Sequence, residues 1–279
     1  MATFKDRACS FLPLNNREQK PRSSGLTEVR GPYYSSYGKR HLEDLLETMG
    51  MYIDILKFAG GSFALMPKDV VIDLNKTAHN YNTEVSTGGF IERVLSYGPQ
   101  YVDQYLTECK ELGFDIVEVS SGFISLPTKD VVSLVNKVQD FDLKPKPEVG
   151  IQFGAGGGIT TSAEHESEGT KSVSQLINQG RKCLEAGAWR LMIESEGITE
   201  QVTKWRTDVI AEIVDNFGLE RVMFEAADPE VFEWYIKNFG IDVNLFVDHS
   251  QIVQLESLRS GTWGSKSSWG RITSYKPTL

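Results

Sequence analysis

Short apolar runs rich in β-branched residues recur along the chain roughly every 30 residues, which is about the length of a strand, a loop and a crossover helix. Segments with helical periodicity separate these runs. The pattern therefore predicts eight strands, each followed by a helix. The predicted strands cover residues 26–29, 52–58, 83–87, 114–119, 145–151, 189–194, 221–225 and 243–248.

The segments between the strands favour amphipathic helices. Between residues 99 and 112, Val102, Tyr105, Leu106 and Cys109 share one helical face at i, i+3, i+4 and i+7. Glycine ends several predicted helices directly before the next strand, because it tolerates the left-handed conformation at a helix C-terminus. These glycines are Gly50, Gly113, Gly187, Gly218 and Gly240.

Eight strand–helix units predict an α/β protein with a single (β/α)8 TIM barrel over residues 26–261. An open doubly wound sheet is the alternative, and the lack of Gly-x-Gly-x-x-Gly after the first strand disfavours its dinucleotide-binding form. Strand five is the weakest prediction, because Pro145 and Pro147 cannot donate ladder hydrogen bonds. Residues 1–25 are predicted to form a flexible N-terminal extension, and residues 262–279 a short C-terminal tail that Trp263 and Trp269 anchor.

Composition excludes several classes of protein. The chain has 29 basic and 38 acidic residues, a formal net charge of −9 that disfavours nucleic acid as a partner. No apolar run approaches the roughly 20 residues of a membrane-spanning helix. The three cysteines, Cys9, Cys109 and Cys183, form neither a disulfide framework nor a zinc knuckle, which favours a reducing compartment and a cytoplasmic location. The mildly basic first 25 residues also fit organelle targeting, but a flexible leader is favoured.

Acidic residues stand at the ends of five predicted strands: Glu118, Glu148, Glu194, Glu225 and Asp248. TIM barrels carry their chemistry at this end of the strands. Converging carboxylates need a counter-charge, which Mg²⁺ or Lys57, at the end of strand two, would supply. We therefore expect a metal site among Glu194, Glu225 and Asp248. In the alternative interpretation, each acid pairs with a neighbouring base or caps the next helix.

Weaker candidates lie nearby. His249 and Ser250 begin the last helix, where barrels often bind anions, so we predict that they contact substrate phosphate. The other histidines, His41, His79 and His165, are predicted to face solvent. The glycine run at 154–158 fits a phosphate cradle or a mobile lid, and the missing P-loop lysine favours the lid.

At these residues the chain resembles the phosphosulfolactate synthase family. The matching stretches are GLT at 25–27, ILKF at 55–58, STGGF at 86–90, LGFD at 112–115, VEVS at 117–120, PEVG at 147–150, EAGA at 185–188, MFEA at 223–226, VNL at 243–245 and LESLR at 255–259. RGP at 30–32 and VDHSQ at 247–251 look most like the eukaryotic branch, which includes plant heat-stress-associated proteins.

The resemblance implies a barrel enzyme that adds sulfite to phosphoenolpyruvate with Mg²⁺, and a homo-oligomer. It places the metal and the substrate carboxylate among the strand-end acids. Mg²⁺ would stabilise the enediolate-like anion formed by attack on the methylene carbon, and a general acid would then protonate the adjacent carbon. We expect Lys57, Glu118 and Glu148 to be catalytic, and Arg30 and Lys57 to bind anionic groups.

The chain departs from the family pattern at positions that supply positive charge. Strand one ends in Glu28-Val29-Arg30-Gly31 where the family has an Asp-Lys pair. Ile151-Gln152 replaces a lysine pair that acts as the acid, and Ser195-Glu196 stands near the place of a family arginine. Two interpretations stay open: a Mg²⁺-dependent lyase for a small phosphorylated acid, with altered or weakened chemistry, and a non-catalytic heat-stress-associated protein that acts through protein interaction.

Overall fold

Eight parallel strands close into one barrel in sequence order, with β1 beside both β2 and β8. This computed structural model describes residues 7–32, 37–155, 168–226 and 228–272. The predicted (β/α)8 architecture is confirmed. The strands are β1 (Thr27–Arg30), β2 (Ile55–Lys57), β3 (Glu84–Ser86), β4 (Ile116–Val119), β5 (Lys144–Val149), β6 (Leu191–Ile193), β7 (Val222–Glu225) and β8 (Leu245–Asp248).

Helices surround the barrel, and several shorter 3-10 turns join the elements. The α-helices are α1 (Lys39–Met49), α2 (Lys68–Asn80), α3 (Ile91–Tyr97), α4 (Val102–Leu112), α5 (Thr128–Asp140), α6 (Val173–Glu185), α7 (Thr207–Phe217), α8 (Pro229–Phe239) and α9 (Ile252–Ser260). Within the described residues, no helix is both long and apolar enough to cross a membrane.

Alternation along the strands divides the buried side chains into two sets. One set packs between the strands and the helices and forms the large apolar core, with Val29, Val117 and Phe224 among its members. The other set fills the lower barrel interior and forms a small separate cluster. Its members are Leu26, Ile55, Ile116, Met192, Met223 and Phe246. Inward-facing residues that follow these apolar positions lie nearer the carboxyl end of the barrel, which we call the mouth.

Strand β5 accommodates its prolines on the side that faces β6, because residue pairing with β6 begins only beyond them. The amide of Lys144 donates to Asp115 O at 2.9 Å, towards β4, whereas the carbonyl of Pro145 faces the other neighbour and accepts from Trp189 N at 2.9 Å. Residue pairing with β6 begins only at Glu148. Pro145 therefore precedes the first residue pair of β5 and β6, and only its carbonyl makes a hydrogen bond on that side.

The lower end of the barrel is tied to the N-terminal segment and to α9. Arg17 forms a buried salt bridge with Glu256, and buried Arg259 donates to the carbonyls of Gly25 and, at 2.8 Å, of Val243. Arg22, also buried, pairs with Asp54, so the part of segment 1–25 that the structure describes has several side chains anchored in the barrel floor.

The C-terminal tail is held by Ile272 rather than by the two tryptophans predicted to anchor it. Trp263 and Trp269 are 68% and 53% exposed and pack on each other, with ring centroids 4.7 Å apart. Ile272 is buried, and its carbonyl accepts from Asn15 Nδ2 at 2.9 Å. Burial of an aliphatic side chain therefore fixes this part of the tail.

Candidate active site at the barrel mouth

Charged side chains replace the apolar filling of the barrel towards its mouth. Arg30, Lys57, Glu118 and Glu225 each stand two positions after an inward-facing residue, so strand alternation directs them inward too. Register places Arg30 beside Lys57 across the β1–β2 pair. The sequence pattern of acids and bases at strand ends thus becomes a ring of charge inside the mouth.

Two of these side chains, Lys57 and Glu118, are linked with Lys146 and Glu28 in one series of salt bridges. Lys57 Nζ lies 2.8 Å from Glu118 Oε1, and Lys146 Nζ lies 3.2 Å from Glu118 Oε2. Lys146 Nζ also lies 2.5 Å from both carboxylate oxygens of Glu28. All four side chains are buried. We call Glu28, Lys146, Glu118 and Lys57 the buried ion chain.

The buried ion chain favours the charged form of its members that face the mouth. Burial by itself disfavours the ammonium of Lys57, but the carboxylates, led by Glu118, raise the pKa of Lys57 above its usual value. Burial likewise opposes ionisation of Glu118, yet Lys57 and Lys146 lower its pKa overall. At neutral pH the mouth therefore presents a fixed positive charge on Lys57.

A second ion pair lies beside it. Arg30 Nη2 is 2.8 Å from Glu225 Oε1. The ring of Phe246 lies beneath both cations, 4.2 Å from Lys57 Nζ and 5.2 Å from Arg30 Cζ. Burial raises the pKa of Glu225 despite the opposing effects of Lys57 and Arg30. Lys57 and Arg30 thus share one aromatic face while each pairs with a carboxylate.

Two further acids have no salt bridge among the described residues. Glu148 and Glu194 line a cleft together with Gly150, Gln152 and Lys171, among others. Burial, and then repulsion by Glu118, raises the pKa of Glu148 to about 8. Burial, and then repulsion by Glu225, raises the pKa of Glu194 well above its usual value. Both carboxyl groups favour the neutral form at pH 7 in the absence of a bound cation.

Close packing fixes the backbone beneath this cleft. A Cβ at Gly150 would lie 2.8 Å from the Cβ of Glu194. The carboxylate of Glu194 accepts a hydrogen bond from the backbone of Glu196 at 3.1 Å. The glycine after Glu148-Val149 thus allows the acids of β5 and β6 to approach each other.

The predicted three-carboxylate metal site is not assembled in this structure. Among the described residues, no three Asp, Glu, His or Cys side chains are arranged to hold a metal ion. Asp248 instead caps the next helical turn, since its Oδ1 accepts from Ser250 N at 2.9 Å and Ser250 Oγ at 2.6 Å. Glu194 and Glu225 still offer hard oxygen ligands, and Mg²⁺ often uses only one or two carboxylates plus substrate.

The predicted phosphate contacts of His249 and Ser250 have other partners. The hydroxyl and the amide of Ser250 both donate hydrogen bonds to Asp248, so a carboxylate already occupies the start of the helical turn. His249 Nδ1 lies 3.1 Å from Arg30 O, and its ring packs near the rings of Tyr37 and His41. His249 therefore supports β1 in this structure, and the phosphate contacts of His249 and Ser250 stay a prediction.

The remaining histidines differ in their surroundings. His41 is exposed and stacks on Tyr37 with ring centroids 4.7 Å apart. His79 Nε2 lies 2.8 Å from Asp115 Oδ2, and this hydrogen bond raises the pKa of His79. The predicted solvent exposure is observed for His41 and for His79, whose side chain is 40% exposed despite its contact with Asp115. His165 lies outside the described residues.

The position of the family's lysine pair has a structural role here. Ile151 is buried, and Gln152 Nε2 donates to Phe153 O at 3.1 Å and Gly169 O at 3.2 Å. Gln152 also pairs with Thr170 in an isolated β-bridge. These contacts join the two ends of the loop after β5. Most of the glycine run at 154–158, for which a lid was predicted, lies outside the described residues.

Sequence reasoning missed Lys146 and Glu28 in the barrel interior and Lys171 beside the cleft. Lys146 stands two positions before Glu148, and Glu28 two before Arg30, so strand periodicity would have placed both inside the barrel. Lys171 begins the segment before α6 and reaches the cleft through a 2.6 Å hydrogen bond from its amide to Ile151 O. No local sequence pattern predicts that the chain returns to the cleft at Lys171 after the loop that follows β5.

Replacing Glu148 by glutamine is expected to remove a pH dependence of stability. The folded pKa of about 8 lies above the ordinary 4.5, so the native state binds more protons and wild-type stability falls as pH rises from about 5 to 8. Glu148 is partly exposed, so we expect a gain of only about 2 kcal/mol for the variant at pH 8.5. Urea unfolding at several pH values measures it.

Glu230→Gln, at an exposed acid on α8, is the control and should leave the pH slope unchanged. Parallel stability curves for wild type and Glu148→Gln across this pH range would contradict the raised pKa.

The sequence is similar to known proteins over most of its length. Residues 15–265 match the family model of (2R)-phospho-3-sulfolactate synthase. Protein HEAT-STRESS-ASSOCIATED 32 of Arabidopsis thaliana is 37% identical over 259 residues, covering 90% of this chain and 91% of the relative. Phosphosulfolactate synthase of Methanothermobacter thermautotrophicus is 25% identical over 89% of this chain and 93% of its own.

A solved structure supports the fold alone. The carboxyl transferase domain of Rhizobium etli pyruvate carboxylase, determined with oxalate, superposes with a TM-score of 0.53 at 11% identity, over 81% of this chain and 39% of that chain. The family model spans the whole barrel, and the plant relative matches nearly the whole chain. The chain therefore belongs to the phosphosulfolactate synthase family.

Proposed function

We propose that the chain is a lyase-like enzyme for a small phosphorylated carboxylic acid of the phosphoenolpyruvate type, in which the sulfite addition of the family is weak or absent. The observation that carries this proposal is the buried Lys57 side chain at the mouth of the barrel, whose Nζ lies 2.8 Å from Glu118 Oε1 within the buried ion chain. A fixed ammonium surrounded by partly neutral acids suits an anionic substrate whose charge changes during reaction.

Lys57 and Arg30 carry the substrate binding in this proposal. Both lie over Phe246, and their side chains are only 7% and 14% exposed, so water screens them less than surface cations. Lys57 would bind the substrate carboxylate and the enediolate that forms from it. Arg30 would exchange part of its contact with Glu225 for a phosphate oxygen.

Proton transfer would fall to Glu148. Its carboxyl group has a pKa of about 8 and lines the cleft, so it holds a proton at neutral pH. In sulfite addition, the sulfur lone pair forms the C–S bond and the double-bond electrons move towards the carboxylate; the carbon bearing phosphate then accepts the proton. Gln152 cannot supply that proton, and its contacts hold the loop after β5.

Glu194 and Glu225 fit a hard cation as a two-carboxylate site. Burial and neighbouring acids raise both pKa values, which is the expected state of carboxylates that gain from a bound cation. Mg²⁺ held there would stabilise negative charge on the substrate carboxylate.

Product formation from phosphoenolpyruvate and sulfite with Mg²⁺ tests the proposal. We expect turnover to be absent or about 10²- to 10⁴-fold below that of a family enzyme with the lysine acid. Phosphoenolpyruvate with Mg²⁺ should nevertheless raise the melting temperature, because it binds only the folded state. Removal of Mg²⁺ with a chelator should reduce that shift.

Robust wild-type turnover would contradict the weakened chemistry, whereas the lack of any ligand-induced shift would contradict the substrate class. A gain in Gln152→Lys, with no gain in Gln152→Met, would locate the defect at the missing lysine. Methionine is the matched control, because it also loses the amide contacts of Gln152.

A non-catalytic role through protein interaction is the second candidate. Leu65 and Phe123 follow β2 and β4, so both lie in loops at the mouth end, and they are 90% and 70% exposed. If these side chains formed one contiguous apolar patch on the functional face, that patch would favour a protein partner. The aromatic residues Phe63 and Phe90 pack on each other, with ring centroids 5.1 Å apart. The thermal-shift experiment separates the two candidates.

A further inference from the structure

We infer that Glu28 and Lys146 are positioning residues, which act on the anion-binding site through Glu118 and hold Lys57 charged and correctly placed. This inference rests on the proposed role of Lys57. Neither residue reaches the substrate region, since both side chains are fully buried. Their effect would pass along the buried ion chain.

The contacts make Glu118 a shared carboxylate. One oxygen lies 2.8 Å from Lys57 Nζ and the other 3.2 Å from Lys146 Nζ. Register places Glu118 beside Lys146 on the neighbouring strands β4 and β5. Glu28 lies on β1, across the barrel interior, and holds Lys146 by both of its oxygens at 2.5 Å. Movement of Lys146 would therefore change how strongly Glu118 holds Lys57.

Stability alone gives little reason for these charges. Well-packed apolar residues of similar volume often replace buried ion pairs with no loss of stability. The layer directly below is filled with apolar side chains such as Ile116 and Met192, so the barrel tolerates such filling. Two opposite pairs in this position instead give the interior a balanced charge and fix the geometry of Glu118.

The charge balance of the buried ion chain predicts whether each substitution raises or lowers the proton affinity of Lys57. Two ammonium groups share two carboxylates in the buried ion chain. Without the charge of Glu28, two ammonium groups would compete for Glu118, and Lys57 would hold its proton less tightly. Without the charge of Lys146, Glu118 would serve Lys57 alone. The groups that act on Lys57 electrostatically are Glu118 on β4, Glu28 on β1, Glu148 on β5 and Glu225 on β7. Arg30 on β1 lies beside Lys57 in register, and both cations lie over the ring of Phe246 on β8.

Competitive labelling with acetic anhydride, followed by peptide mass spectrometry, measures the proton affinity of Lys57 between pH 6 and 11. The variants are Glu28→Gln, Lys146→Met and the double variant, each tested without substrate. We expect Glu28→Gln to increase the labelling rate of Lys57 about tenfold at pH 9, a change equivalent to one pH unit. Lys146→Met should leave that rate unchanged or lower it, and the double variant should return it near wild type.

Glu84→Gln is the matched control, because Glu84 pairs with Lys144 on the same strand as Lys146 but at a partly exposed site. A loosened barrel would speed labelling in every interior variant, so equal increases in Glu28→Gln and Lys146→Met would overturn the inference. An unchanged rate in Glu28→Gln would overturn it too. If Lys146→Met does not fold, the comparison of Glu28→Gln with the double variant decides.

Labelling needs no substrate, so its outcome is separable from that of the proposed function. If phosphoenolpyruvate does not bind while labelling changes as expected, the substrate class is wrong and the positioning role stands. In the opposite case, the site binds the acid but Glu28 and Lys146 serve only the fold.

Discussion

Replacing Lys57 by methionine is expected to weaken binding of phosphoenolpyruvate about 10²-fold. The ammonium is the charge that the buried ion chain maintains, and a charged hydrogen bond contributes about 1.5–3 kcal/mol. Methionine retains most of the side-chain volume, so packing against Phe246 survives. Isothermal calorimetry with Mg²⁺ present measures the change in affinity.

Lys144→Met provides the matched control, since Lys144 pairs with Glu84 at a partly exposed site at the start of β5, away from the mouth. Its affinity should equal that of wild type. Comparable binding by Lys57→Met and wild type would remove Lys57 from the site and leave Arg30 as the main anion contact. If Lys57→Met loses affinity and Lys57→Arg keeps it, a positive charge at this position is sufficient for binding.

Replacing Arg259 by methionine is expected to destabilise the fold by about 4 kcal/mol, because removal of one partner from a buried charged network leaves the others unpaired. The carbonyl of Val243 would lose the donor that Arg259 supplies, and the carbonyl of Gly25 would keep only its hydrogen bond from Arg17. Glu256 would keep only Arg17. For a domain of this size, that loss lowers the melting temperature by roughly 10 °C, which differential scanning calorimetry measures.

Arg221→Met, at an exposed arginine, tests the same chemical change away from the network. We expect it to change stability by less than about 0.5 kcal/mol. Equal effects of the two substitutions would contradict a special role for Arg259. Retention of Lys57 reactivity in Arg259→Met would further show that the barrel floor and the mouth act independently.

Strand positions were the most predictable part of the fold, and each predicted run overlaps the observed strand. The predicted runs are often too long: residues 52–58 were predicted where β2 spans Ile55–Lys57. Apolar residues flank the strand ends because loops between strand and helix are also buried in a barrel. Hydrophobicity therefore locates a strand better than it marks its ends.

The candidate site was predicted in its strand-end members and missed in its interior. Glu118 and Lys57 end apolar runs and stand out, whereas Lys146 lies between Pro145 and Pro147, where the prolines obscure the strand pattern. Glu28 looked like a departure from the family motif, yet it pairs with Lys146 across the barrel. Pairing across the interior depends on closure and has no local signal.

The helix-capping role of Asp248 could be predicted from the local sequence. The sequence Asp248-His249-Ser250-Gln251 has the spacing of a capping box, in which Asp248 accepts backbone hydrogen bonds and Gln251 reaches back. Helix capping therefore competes with metal binding for this carboxylate. The alternative interpretation of the strand-end acids holds for Asp248, which caps the next helical turn, and for Glu118, which pairs with Lys57 and Lys146.

Closure of the barrel by β1 and β8 has a consequence for how the chain folds during translation. Leu26 and Asn244, 218 positions apart, are joined by a hydrogen bond, whereas β1 meets β2 after a single helix. The eightfold longer loop costs about 2 kcal/mol more in closure entropy. The ribosome must release almost the whole chain before β1 gains its second neighbour. Until then the edge of β1 stays open to pairing with other chains, so nascent protein should depend on chaperones more than its final stability suggests.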